Sequence, residues 1–341
     1  MEFNATSLPD EHVDSTLIGT PLHRSLMTVA FTPLAIVIVI GNALVMLAIR
    51  REPTLREPGN LLIACLSLAD FLTGLVAIPV EVFRRLVRIS HATCTQATVV
   101  YFTMWPYVFT GVSSGVIVLV NVDRYVAITR PLRYVSMVTT RRVVNVIVWM
   151  WVGCLTYGFM FAYGASEDQS VVEYCAAEPN RRSSRKVHRL FTSAFIVMFS
   201  LVVIASNLRI LSIAKSQARR IQMAAPHPPM GIPPPGPKLK QEVKAIRAIL
   251  LLVIIFCVSL FPTCVWFTVE YFFDVSRLAF VLTNDISFFF LNISSAANPF
   301  IYSTKNPFFR KAFRKMFPSF FKWLAGNKVN VDLEENNHNL H

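Results

Sequence analysis

Charge is scarce in this sequence. Asp, Glu, Lys and Arg make up 16% of its 341 residues, while 54% are hydrophobic. A soluble domain carries about a quarter charged residues, so the deficit excludes an ordinary soluble fold. The net charge of +13 does not indicate nucleic acid, because the basic residues flank apolar runs. A cleavable secretion signal is also absent. Met1 to Leu26 is polar, with no apolar stretch behind a basic start, so the first apolar run would serve as its own insertion signal. There is no internal repeat, no metal-ligand cluster and no nucleophile–base pair placed in a pocket. His91, His188 and His227 fall in or near loops and read as solvated. No enzyme is expected.

What the sequence does have is seven apolar runs, each near the roughly 20 residues that cross a bilayer. They are Val29–Ile49, Leu61–Val80, Val99–Val122, Val143–Gly164, Leu190–Leu208, Ala248–Val269 and Ile286–Thr304. Only the second holds a charge, Asp70. Backbone polar groups in lipid must be paired within the segment, so each run should be a helix. The expected fold is an all-α membrane protein, a bundle of seven transmembrane helices. Taking the N-terminus and even-numbered loops as one side, that side holds 10 of the 33 Lys and Arg residues, and the other holds 23. Cytoplasmic loops carry the basic excess, so the N-terminus should lie outside and the C-terminus inside. The expected location is the plasma membrane.

Residues 1–26 read as an extracellular tail in which Asn4-Ala5-Thr6 is a glycosylation acceptor pattern. The bundle occupies 27–304. Its third inner loop, 216–247, contains APHPPMGIPPPGP, whose proline density favours an extended linker. In 305–325, Phe308, Phe309, Ala312, Phe313, Met316 and Phe317 recur at helical spacing, with Arg310, Lys311, Arg314 and Lys315 opposite. That pattern describes an amphipathic helix lying in the inner-leaflet interface, with membrane lipid as its partner. Residues 326–341 form a polar cytoplasmic tail. Cys65, Cys154, Cys257 and Cys264 fall inside spans, whereas Cys94 and Cys175 fall in outer loops. An oxidising compartment favours a disulfide between those two, the alternative being two unrelated thiols.

Two polar features sit where charge is costly. One is the stretch NVDRYVAI, Asn121 to Ile128, which places Asp123 and Arg124 at the end of the third run. An acid and base there form either an interface anchor, with the arginine snorkelling to headgroups, or a switch. The other is Asp70, mid-span, which needs a proton, a cation or polar neighbours.

The remaining motifs fall in a fixed order. The first run has Gly41-Asn42 and Val45, and the second has Leu66-Ser67-Leu68-Ala69-Asp70. The third ends in Asp123-Arg124-Tyr125, followed by Ile128 and Pro131-Leu132. Trp151 lies in the fourth, Phe256 and Pro262 in the sixth, and Asn298-Pro299-Phe300-Ile301-Tyr302 in the seventh. In these residues the chain resembles a rhodopsin-like (class A) G-protein-coupled receptor over nearly all of 27–317. The resemblance implies a receptor that binds an extracellular ligand and promotes nucleotide exchange on a heterotrimeric G protein. The alternative is a multi-pass transporter or channel, against which the absent repeat and the single intramembrane acid argue. Guanine-nucleotide exchange compared with solute flux separates the two.

By the same resemblance, Asp123 restrains Arg124 at rest, and Arg124, Tyr125, Leu132 and Tyr302 serve G-protein coupling. Asn42, Asp70, Ser113, Ser294 and Asn298 would surround a polar cavity that can take an allosteric sodium ion; no other cofactor is expected. Pro262 and Pro299 would act as hinges. Tyr107, Thr110, Thr263, Phe267, Asp285, Phe288 and Asn292 would line the outer, ligand-facing half. Several positions depart from the family pattern. Pro106 stands where amine receptors carry an aspartate, and Asn292 where opsins carry the retinal-binding lysine. Leu260 replaces the usual sixth-span tryptophan, Phe199 the fifth-span proline and Asn207 the inner tyrosine. Cys94 precedes Arg124 by thirty residues, more than usual for the family.

Overall fold

A computed structural model of the protein describes residues 21–86, 95–168, 183–224, 236–273 and 276–318. Its described elements are helical. In chain order they are α1 (Pro21–Arg51), a 3-10 turn (Pro53–Leu55), α2 (Pro58–Leu72), a π-helical turn (Thr73–Ala77) and α3 (Ile78–Leu86). Then follow α4 (Gln96–Thr129), α5 (Pro131–Met137), α6 (Thr140–Asp168), α7 (Ser183–Ala224), α8 (Gly236–Phe272), α9 (Arg277–Lys305) and α10 (Pro307–Met316). Among the described residues, six stretches are long and apolar enough to cross a membrane, with α2 and α3 contributing to one of them. The seventh run lies within α9, which is less apolar because it carries Asp285, Asn292, Ser294, Ser295 and Asn298.

The helices pack as a ring. α1 lies against α2 and α9, α2 against α4, α4 against α6 and α7, α7 against α8, and α8 against α9. Lipid offers no hydrophobic drive between helices, so close backbone approach matters more than apolar area. Gly41 supplies it between α1 and α9: a Cβ there would lie 2.8 Å from Cγ of Pro299. Gly158 does the same between α6 and α4, where a Cβ would lie 2.5 Å from a Val108 methyl. The outer faces keep large apolar side chains, with Trp149 and Phe191 both at least 70% exposed. In a bilayer those faces meet acyl chains.

Helix limits extend past the apolar runs. α7 continues to Ala224 and α8 begins at Gly236, so both reach into the segment read as a linker, 216–247. Hydropathy marks lipid thickness, whereas a helix continues until a breaker, and the first proline after Leu190 is Pro226. The rest of the segment read as a linker, 225–235, lies outside the described residues. α1 likewise takes in the end of the tail read as 1–26. Within the segment read as an interfacial helix, 305–325, the described helix spans Pro307–Met316, and 319–325 lie outside the described residues. The Asn306 side chain accepts from the backbone N–H of Phe308 and caps it. Phe309, Ala312 and Phe313 are buried, and Phe309 stacks on Tyr302 at 5.3 Å. Asn4, Cys94 and Cys175 lie outside the described residues.

Gly41→Val should lower the stability of the detergent-solubilised protein by about 1–3 kcal/mol, the usual cost of overpacking. A fall in thermal unfolding temperature would report it. Val29→Ile, at a 70% exposed position, should leave that temperature unchanged.

Candidate functional site

Asp70 sits on α2 and is 1% exposed. A carboxylate so placed needs donors, and α9 supplies them. Ser295 Oγ donates to Oδ1 at 2.7 Å and Asn298 Nδ2 to Oδ2 at 2.6 Å. The buried Ser113 hydroxyl of α4 interacts with the same carboxylate. Asn42, fully buried on α1, donates from Nδ2 to the carbonyls of Ile38 and Ser295. Its Oδ1 has no hydrogen-bond partner among the described residues. Three helices, α2, α4 and α9, therefore meet on one acidic group, and α1 joins through the Ser295 carbonyl with an acceptor oxygen left over. The carboxylate, hydroxyl and amide oxygens of these side chains are the set that suits a hard cation.

Ser294 does not join this cluster as expected. Its hydroxyl donates to the Leu291 carbonyl of its own helix at 2.8 Å, and Ser295 takes the position on Asp70. Ser294 and Ser295 precede Asn298 by four and three residues, each about one turn, so spacing alone does not choose between them.

At the end of α4, Arg124 and Asp123 form an ion pair. Nε donates to Asp123 Oδ2 at 2.9 Å, and a terminal guanidinium nitrogen reaches the same oxygen at 2.6 Å. The other oxygen, Oδ1, accepts from the Tyr134 hydroxyl at 2.8 Å. Burial, then the Asp123 charge, push the Tyr134 phenol well above its usual range. It therefore stays protonated and remains a donor. Tyr134 rides on α5, which also presents Leu132, 98% exposed. Tyr125 is half-exposed, and Tyr302 is buried beside a small apolar pocket with Ile63, Leu66, Ile117, Leu252 and Val253. Pro262 and Pro299 lie inside α8 and α9, where a missing N–H breaks the helix ladder.

Several of the residues expected to face a ligand also make contacts within the bundle. Tyr107 packs on Phe161 of α6 at 4.1 Å, and Phe288 packs on Phe31 of α1 at 5.5 Å. Asn292 donates to the Phe288 carbonyl of its own helix. Thr110 accepts from Ser114 through its carbonyl. Asp285 meets His23 Nε2 at 3.0 Å and is 3% exposed. Thr263 and Phe267 are partly buried on α8. The aromatic members thus serve contacts between helices as well as any lumen. His23 and Tyr134 were not legible as site residues, because each is brought in from a separate helix.

Residues 41–302 match the family model for the seven-transmembrane receptor of the rhodopsin family. The chain belongs to that family. It is a G-protein-coupled cell-surface receptor, a multi-pass plasma-membrane protein and not an enzyme. Its sequence is similar to trace amine-associated receptor 9 of Rattus norvegicus, 27% identical over 89% of this chain and 91% of that protein. The Homo sapiens receptor of the same name is 28% identical, covering 91% and 90%. The histamine H2 receptor of Cavia porcellus is 26% identical, covering 93% and 84%. The family's ligand and G-protein partners are expected at opposite ends of this receptor, with the Asp70 cluster between them.

In the receptor, Ser295→Ala should cost about 1–3 kcal/mol, because Asp70 Oδ1 loses its nearest donor inside the bundle. Ser294→Ala removes only a bond to its own helix and should cost clearly less. Thermal unfolding of the two purified variants distinguishes them.

Proposed function

We propose that an extracellular ligand drives this receptor to promote nucleotide exchange on a heterotrimeric G protein, with Arg124 as the group that is released. The observation that carries the reading is the Asp123–Arg124 pair closed by Tyr134. The N-terminus is outside and the C-terminus cytoplasmic, which puts the pair, Leu132 and α10 on the G-protein side. In the resting arrangement Asp123 holds the guanidinium. Activation frees Arg124, which is 30% exposed, while Tyr134 keeps the acid paired. Leu132 would dock as an apolar knob, and Tyr302 would turn inward about the Pro299 hinge. The basic face of α10 would rest on lipid headgroups.

The ligand's class is open. Relatives are named for trace amines and histamine, yet Pro106 offers no carboxylate in the third span. A cationic ligand here would need another acid, with Asp285 the first to test, and His23 would have to yield it. Cys94 and Cys175 would be disulfide-linked at the same outer end, and Asn4 glycosylated.

Arg124→Ala should reach the cell surface and lose G-protein activation, and Asp123→Asn should raise basal nucleotide exchange. Normal signalling from surface-expressed Arg124→Ala would reject the release of Arg124 as the switch.

The Asp70 cluster supports a sodium site that favours the resting state. Asp70 would supply the counter-charge, and the hydroxyl of Ser113 and the amide oxygens of Asn42 and Asn298 would be neutral ligands. An ion shifts an equilibrium only by its differential affinity for the two states. Sodium should therefore lower basal exchange and raise the unfolding temperature relative to a large organic cation at equal ionic strength. Asp70→Asn should abolish both effects. Equal values in the two salts would leave Asp70 a hydrogen-bonded structural group.

A further inference from the structure

The ion pair at the end of α4 lies against the first turn of α2. At Gly59 an added Cβ would sit 2.8 Å from a terminal guanidinium nitrogen of Arg124, and 2.9 and 3.2 Å from the two Asp123 carboxylate oxygens. Real Cβ atoms essentially never approach heavy atoms within 3.0 Å. The backbone does not call for glycine. Residue 59 lies in ordinary helix after Pro58, where alanine is the better former. The only thing glycine provides here is the missing side chain. Its absence leaves a flat backbone seat on which both members of the pair rest. The seat also suits the acid electrostatically, since the first turn of a helix carries its positive end.

We propose that Gly59 is a positioning residue that lets the resting ion pair close, so that any side chain at 59 opens it. The proposal rests on the reading of Asp123–Arg124 as the switch. Which group yields follows from how each is held. Asp123 is 5% exposed and is tied at Oδ1 by Tyr134. The start of α2 is pinned by buried Leu55, Leu62 and Ile63, and by Arg56 donating to the Arg50 carbonyl. The Arg124 guanidinium is the far end of a long, flexible side chain and is 30% exposed. A methyl at 59 therefore displaces Arg124 from its acid and biases the receptor toward the active arrangement. Gly59 acts on signalling only through Arg124.

The test measures ligand-independent nucleotide exchange in membranes holding the full-length receptor and a heterotrimeric G protein, normalised to surface receptor. Gly59→Ala should raise basal exchange about fivefold, the low end of ordinary conformational coupling. The rise should vanish when Arg124→Ala is added. Asp123→Asn serves as the reference. If it raises basal exchange and Gly59→Ala leaves exchange unchanged or lowers it, the proposal is overturned while the switch reading stands. If neither variant raises exchange, the switch reading falls and the proposal falls with it. A Gly59→Ala receptor that fails to reach the surface is resolved by combining it with Asp123→Ala. That change removes the carboxylate atoms and lets Arg124 relax, so the pair of changes should restore surface expression non-additively. Failure to restore it would place the collision elsewhere and reject the proposal.

Discussion

A single carboxylate inside the bilayer sets the arrangement of the bundle. Asp70 is 1% exposed in a helix that crosses lipid. An ionisable group at that depth survives only with polar partners, and none can come from water in the hydrocarbon. α9 answers with Ser295 and Asn298, and α4 with Ser113. α1 joins through Asn42, which ties the Ser295 carbonyl to its own helix. Those partners explain why α9 is the least apolar of the seven and why it must sit next to α1 and α2. Gly41 and Pro299 then allow α1 and α9 to come close enough for the bonds to form. Packing and polar satisfaction are therefore the same constraint seen from two sides.

The acid also sets what lies below it. Between Asp70 and the Arg124 pair the interior turns apolar, with Leu66, Ile117, Leu252 and Val253 around the buried ring of Tyr302. Tyr302 stacks on Phe309 of the interfacial helix and so links the seventh span to α10. A rearrangement at α9 cannot leave this layer untouched, because its residues are already close-packed. Any coupling between the two polar sites therefore runs through helix movement across an apolar layer and not along a chain of hydrogen bonds.

Much of this was legible in the sequence, and the misses share a cause. Seven apolar runs identify the spans because lipid thickness fixes their length. Asp70 stands out as a charge in an apolar run, and the resemblance to the family groups Asn42, Ser113 and Asn298 with it. Ser295 and Ser294 differ by one position on one helix, and choosing between them requires knowing how α9 is rotated. Tyr134 lies beyond the break between α4 and α5, so no periodicity connects it to Asp123. The aromatic residues assigned to a ligand share their helical spacing with residues that pack on the next helix, as Tyr107 and Phe288 do. Hydropathy likewise measures the bilayer, which is why α7 and α8 outrun their apolar segments.

The asymmetry of the Asp123–Arg124 pair is what would let it serve as the proposed switch at low cost. Breaking a fully buried ion pair leaves an orphaned charge and costs about 3–5 kcal/mol. An exposed pair is worth about 0–1 kcal/mol and would hold nothing at rest. This pair lies between those limits, because its two halves differ. The acid is buried and keeps Tyr134 as a second donor on its other oxygen, so it is not orphaned when the base leaves. The base is the exposed half and regains water as it moves. Separation therefore loses two charge-assisted contacts and strands neither group. The smooth first turn of α2 at Gly59 lets the closed form be reached without strain, and the exposed stem of Arg124 lets it be left. A resting state built this way is stable enough to be populated and weak enough for a modest difference in ligand affinity to overturn.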